Sequence, residues 1–224
     1  SHRTPNNIVM GKHSGRAGRV EASLEDLMEL NVSAAFLADF CSRHLLDEKI
    51  FIVPSYQVGH QIGERLCKAG HSWINLRFVN SASLAQQVAG YELSQSGIKQ
   101  INASSSTILI DRIFCRLQDS GKLQYFGKLT PSLGVIKAVY RAVYSLRMVG
   151  IKSGELKPEF FNNPMKGNEV QLLLRAYEGE LKKKKLIDLP GLFSLAIKNI
   201  NTKIEDKNKY FLCFKDLPLS QLEK

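Results

Sequence analysis

No stretch of this 224-residue sequence approaches the roughly 18 consecutive apolar residues that span a bilayer. The opening residues, SHRTPNNIVMGKHSG, hold no apolar run of signal-peptide length. Neither membrane insertion nor export is therefore expected. Cysteine is scarce: Cys41, Cys67, Cys115 and Cys213 are widely spaced, with no C-x-x-C pair. That spacing argues against a disulfide framework and predicts reduced thiols in a cytoplasmic protein. No Cys/His cluster offers the ligands of a zinc site. Acid is in short supply, with 21 Asp+Glu against 31 Lys+Arg and a net charge of +10. Polyanions, DNA and RNA first, are the partners such a surplus favours. At 44% hydrophobic and 23% charged residues, the composition is that of a globular chain.

A working phosphate loop is missing too. The Gly-rich stretch from Gly11 to Gly18 sits after the apolar run Asn7-Ile8-Val9-Met10, where such a loop would lie. The loop needs GxxxxGK[ST], so that backbone N–H groups and a lysine hold the phosphates. Here Gly15 and Gly18 are followed by Arg19-Val20-Glu21-Ala22, with no matching Lys or Ser/Thr. Gly15 and Gly18 thus mark a degenerate loop, and no nucleotide site is expected. His44 and His71 have no Ser, Cys or Asp at a recognisable catalytic spacing, so no catalytic residue is assigned.

The periodicities divide the chain into four parts. Residues 1–22 read as an irregular N-terminal segment. Residues 23–96 read as an α/β unit, and 97–204 as a helical block. Residues 205–224 read as a returning strand and a cut end. Within the α/β unit, Ser23 caps a helix that Asn31 ends, and a second helix covers about 33–46. The run Lys49-Ile50-Phe51-Ile52-Val53-Pro54 is rich in β-formers and stopped by proline, the pattern of a buried strand. A helix over 56–69 ends at Gly70. Asn75–Asn80 alternates as a second strand, and Ser81 or Ser83 caps the next helix. Strand–helix–strand–helix is the core of a parallel α/β unit.

The helical block starts after Ser104-Ser105-Ser106. Further helices open at Pro131-Ser132 and cover 168–184 and 189–200. Lys209–Phe214 reads as a strand, and the chain stops at Lys224 as another helix begins, as a piece of a longer protein would.

Two stretches resemble known families. Gly11-Lys12-His13-Ser14-Gly15-Arg16 looks like the GKHSGR segment of isopropylmalate and homocitrate synthases. The match covers about ten residues. Those enzymes continue into a helical region after this motif, whereas this chain has the strand at Ile50–Val53. A fragment of such an enzyme is the third reading of this chain.

The second resemblance is wider. It rests on the strand ending in Pro54-Ser55, Gln57 and Gly59 after it, and the helix with Ile62 and Glu64-Arg65-Leu66. Val79-Asn80-Ser81-Ala82-Ser83-Leu84-Ala85 continues it, then Ser145-Leu146-Arg147-Met148-Val149-Gly150, Tyr177-Glu178 and Asp188-Leu189. In order, these pieces resemble the N-terminal, helicase-like part of AddB-type proteins in the PD-(D/E)XK nuclease family. The resemblance covers roughly residues 35–224. It implies a RecA-like, P-loop-helicase-like parallel sheet half-domain with a large all-helical insertion. It also implies a non-catalytic DNA-binding scaffold for DNA repair or recombination, docked to a helicase subunit or to its own further domains. The family's nuclease lies far downstream, and its Mg²⁺ would be held there by carboxylates. This chain shows no such block, so no cofactor is expected in it; Glu205-Asp206-Lys207 reads as a charge cluster in a loop.

The residues expected to meet single-stranded DNA are assigned from their position. Ser55, Tyr56, Gln57 and His60 lie after the first strand, at the carboxyl edge where α/β sheets bind ligands. Asn80, Ser81 and Ser83 hold the equivalent place after the second. Stacking and hydrogen bonding suit such groups. Lys182 and Lys183, in the run to Lys185, would add phosphate contacts. Trp73 reads as a packing anchor before a strand. The competing reading is a protein–protein interaction module whose helical block docks a partner and whose charge only keeps it in solution.

Overall fold

The computed structural model describes residues 8–12, 30–203, 209–214 and 217–223. The chain splits into two units. One is α/β (Ser1–Leu84 with Ile200–Leu219) and the other is helical (Ala85–Asn199 with Ser220–Lys224).

The α/β unit is built on a four-stranded sheet. Its strands are β1 (Ile8–Lys12), β2 (Glu48–Ile52), β3 (Leu76–Val79) and β6 (Lys209–Phe214), in the order β1-β6-β2-β3. β2 runs parallel to both β3 and β6, whereas β1 is antiparallel to β6. The expected parallel arrangement therefore holds for three strands. Residues 1–22 read as irregular in the sequence, yet Ile8–Lys12 closes the edge of this mixed sheet.

Lys49, Ile50 and Phe51 are buried in succession, as a central strand covered on both faces requires. In β6, burial alternates, with Tyr210, Leu212 and Phe214 inside. Helices α1 (Leu30–Arg43) and α2 (Tyr56–Lys68) supply Leu37, Phe40, Ile62 and Leu66 to the same core. Phe40 meets Tyr210 edge-on at 5.3 Å, and Phe51 lies 4.8 Å from Phe214.

Asn31 lies inside α1 and does not end a helix. The helix stops at Arg43, short of Leu46, where Lys49 takes the carbonyls just past its end. The buried ammonium donates to the carbonyls of His44 and of Asp47, the latter at 2.8 Å. Those bonds satisfy a charge that burial would otherwise penalise. The helix expected from Ser23, the degenerate Gly15 and Gly18, and Glu205–Lys207 lie outside the described residues.

The helical unit packs α4 (Ala103–Asp119), α5 (Leu133–Met148) and α6 (Pro164–Lys183) around Ile110, Ile113, Phe114, Leu173, Leu174 and Tyr177. The chain enters it through α3 (Ser81–Ser96) and leaves through α7 (Leu189–Lys203). Two residues each of β4 (Lys99–Gln100) and β5 (Leu186–Ile187) pair in parallel, too short to read from periodicity.

Two helices, α3 and α4, are capped by asparagine and not by the serines expected. Asn80 accepts from the Ser83 N–H at 2.8 Å, and Asn102 from the Ser105 N–H at 2.9 Å. Ser106 is instead buried inside α4. α6 begins earlier than residue 168, with Pro164 in its first turn and Asn163 as cap.

Glu169 ties this unit to its own loop. Its buried carboxylate accepts the N–H groups of Gln124 and Tyr125, each at 2.6 Å, and of Phe126 at 2.9 Å. No disulfide joins the cysteines among the described residues. No described helix is long and apolar enough to cross a membrane.

Candidate nucleic-acid interface

The parallel strands β2 and β3 end side by side: Ile52 is in register with Val79, and the Val53 N–H donates to the Val79 carbonyl at 2.8 Å. Each strand then turns into a helix, so both connecting turns open on the same edge. Pro54 stops β2, having no N–H for the ladder. Ser55 comes next in extended conformation and caps α2, its Oγ accepting from the Val58 N–H at 3.4 Å. Asn80 caps α3 in the same way after β3.

The structure brings the two turns together through Tyr56 and Ser83, whose hydroxyls are hydrogen-bonded. Tyr56 remains 57% exposed, an aromatic ring presented to solvent beside two helix N-termini. Gln57 and His60 are exposed on the first turn of α2 and just beyond it; Asn80, Ser81 and Ser83 are half-buried. His60 reaches its helical neighbour Glu64 at 3.7 Å. Seven of the nine residues expected to meet DNA thus share one edge, and two of them, Ser55 and Asn80, spend a side-chain oxygen on capping.

The opposite edge is chemically different. Glu48, at the amino end of β2, pairs with Arg77 of β3 and, at 3.2 Å, with Lys209 of β6. Arg77 and Lys209 there share a single carboxylate. The carboxyl edge carries no lysine or arginine over residues 53–60 and 80–84, so it can stack and hydrogen-bond but gives little phosphate neutralisation itself.

The helix above this edge is held by a close approach. A Cβ on Gly59 would lie 2.7 Å from Phe78 Cβ, so only glycine lets α2 rest on β3 there. One turn on, a Cβ on Gly63 would lie 3.5 Å from the Trp73 ring. Trp73 packs against the core of this unit, as the sequence suggests.

Lys182 and Lys183 belong to the helical unit. They are exposed in the last turn of α6, where cations complement the helix dipole. Lys184 pairs with Glu180 at 4.0 Å, and Lys185 takes a positive φ of 50° that ends the helix.

One cluster brings together residues that lie far apart in the sequence. Arg147 donates through Nε and Nη2 to the two carboxylate oxygens of Asp188, at 2.9 and 2.7 Å. It also donates to Glu178 at 3.3 Å, and its guanidinium stands 5.7 Å from the Tyr177 ring centre. Asp188 further accepts the Gly191 N–H at 3.0 Å, and Glu178 the Ser153 N–H at 3.3 Å. Every charge here has its partner inside the fold, which makes the cluster a tie between α5, α6 and α7. Its three charged members come from segments that carry the AddB-type resemblance, but nothing in their spacing of 31 and 41 residues announces a contact.

Among the described residues no His/Cys/Asp/Glu group is arranged to hold a metal ion. No protein-family model matches this chain, and no curated protein sequence matches it.

Proposed function

We propose that this chain is the non-catalytic, RecA-like scaffold part of an AddB-type DNA repair or recombination nuclease. In this reading it holds single-stranded DNA at the carboxyl edge of β2 and β3. It docks a helicase subunit or the further domains of its own protein, and the nuclease with its Mg²⁺ is carried elsewhere. The observation that carries the reading is the joined pair of turns: Tyr56 and Ser83 bridge the ends of two parallel strands and leave an aromatic face open. That is where α/β sheets take ligands, and a base stacks on such a ring whatever its identity. The net charge of +10 supports a polyanionic partner.

The charges divide the labour. Tyr56 and Gln57 stack and hydrogen-bond at the edge, and Lys182 and Lys183 on the helical unit are proposed as separate phosphate contacts that make binding salt-dependent. The test is fluorescence anisotropy of a labelled single strand against the full chain, at several salt concentrations. Tyr56→Ala is expected to weaken binding by about tenfold, the worth of one stacked base. Tyr56→Phe, which keeps the ring and loses the Ser83 bond, is expected to retain it.

A further inference from the structure

A cleft of about 210 Å³ opens on the helical unit between α5 and α6. Its walls are carbon: Phe126 and Leu129 from one loop, Ala138 and Ala142 from α5, Val170 and Leu173 from α6. Lys166 is the single charged side chain that lines it. Leu129 is 42% exposed, and Ala138 and Ala142 are also exposed, so the cleft is open along one side. It has the room for one branched or aromatic side chain.

The exposed charges on the loop and on α5 beside the cleft are basic. Between Asp119 and Glu155 the sequence has no acidic residue and six basic ones, of which Arg147 is already taken by Asp188 and Glu178. Lys128 precedes Leu129 on the loop, and Arg141 precedes Ala142 on α5, one turn after Lys137; all three are exposed. At helical spacing, Arg141 flanks the Ala138–Ala142 column on its solvent side. Glu169, the acid on α6 closest in sequence, is turned inward and occupied by three backbone N–H groups. The rim therefore attracts anions, while the floor accepts only apolar matter. A nucleic-acid base would leave its polar edges unmatched on these walls. An apolar side chain between carboxylates matches both floor and rim.

We propose that this cleft docks an acidic peptide segment of a partner protein, with one apolar anchor seated between α5 and α6. Lys166 and Arg141 face the carboxylates on either side of the anchor. The mode is that of a hot-spot anchor in a pocket, steered by a charged rim. It is independent of the edge that carries Tyr56.

The test uses the full chain and a short fluorescein-labelled Asp/Gly peptide bearing a single Phe. The expected result is saturable binding that weakens about tenfold when the peptide's Phe becomes Ala, the scale of burying one such side chain. Ala142→Trp, which fills the cleft from an exposed position, should remove the difference between the two peptides. Lys166→Glu should weaken both, and circular dichroism should show the fold of each variant unchanged. Ala138→Trp fills the same cleft from a second position. Three results would overturn the proposal: no binding of the Phe peptide, equal binding of both peptides, or displacement of the Phe peptide by single-stranded DNA. The last would mean a basic surface that takes any polyanion.

Discussion

Arg147 and Asp188 are joined by two parallel hydrogen bonds of 2.9 and 2.7 Å, across 41 residues of sequence. The Asp188 side chain is 5% exposed and that of Arg147 14%. A guanidinium fork on a carboxylate is the strongest and most directional of side-chain pairings. Here it fixes the end of α5 to the start of α7.

Breaking that pair from one side leaves the Arg147 guanidinium with only its longer contact to Glu178. Asp188→Ala is expected to destabilise the protein by about 3–5 kcal/mol. The loss would read as a lower denaturation midpoint in urea with an unchanged slope. Asp188→Asn, which keeps the shape and one acceptor, should cost less. Equal stability of Asp188→Ala and the parent would show that the tie contributes nothing.

Gly59 gives a test of the approach between α2 and β3. A methyl group there meets Phe78 Cβ at 2.7 Å, so α2 must move off the strand. Gly59→Ala is expected to destabilise by about 1–3 kcal/mol, the usual cost of overpacking. The same change raises helix propensity at an interior position, so a stabilised variant would contradict the packing described. Gly90 is the control: a Cβ there meets nothing within 4 Å, and Gly90→Ala should be neutral or stabilising.

Three tyrosines of the helical unit make stability depend on alkaline pH. Burial pushes the hydroxyls of Tyr140, Tyr144 and Tyr177 above the ordinary tyrosine range. Nearby negative groups, Asp188 among them, push the same way. An acid whose pKa is raised on folding keeps its proton in the native state after the unfolded chain has lost it. The native state then holds more protons, and stability falls as pH climbs through about 10. Ultraviolet titration should show these three of the seven tyrosines ionising late. Tyr177→Phe should reduce the alkaline loss. Seven tyrosines titrating together near their ordinary value would contradict this burial.

The sequence makes some of this legible and hides the rest for physical reasons. The run Lys49–Pro54 announces β2 because a central strand is apolar throughout and proline ends its ladder. Ser55 and Ser132 announce their helices because a capping side chain must precede the first turn. Asn80 and Asn102 do not stand out from neighbouring serines, since several polar residues in a row compete for the same role. β1 is hidden because Ile8–Lys12 draws its identity from its partner β6, some 200 residues away. Of the edge, the positions are legible from strand–turn–helix order, but the Tyr56–Ser83 bond is not. The cluster of Arg147, Glu178 and Asp188, and the Glu169 cradle, depend on contacts that no local pattern records.

Binding of single-stranded nucleic acid at the edge bridged by Tyr56 and Ser83 is the centre of the proposed function, and one comparison tests it most directly. A labelled single strand is titrated with the full chain, with Tyr56→Ala and with Tyr56→Phe, at low and at moderate salt. Binding is expected to weaken as salt rises. Affinity should be about tenfold lower for Tyr56→Ala at each salt, with Tyr56→Phe close to the parent. Binding by the parent that is absent at low salt, or unchanged by Tyr56→Ala, would contradict it.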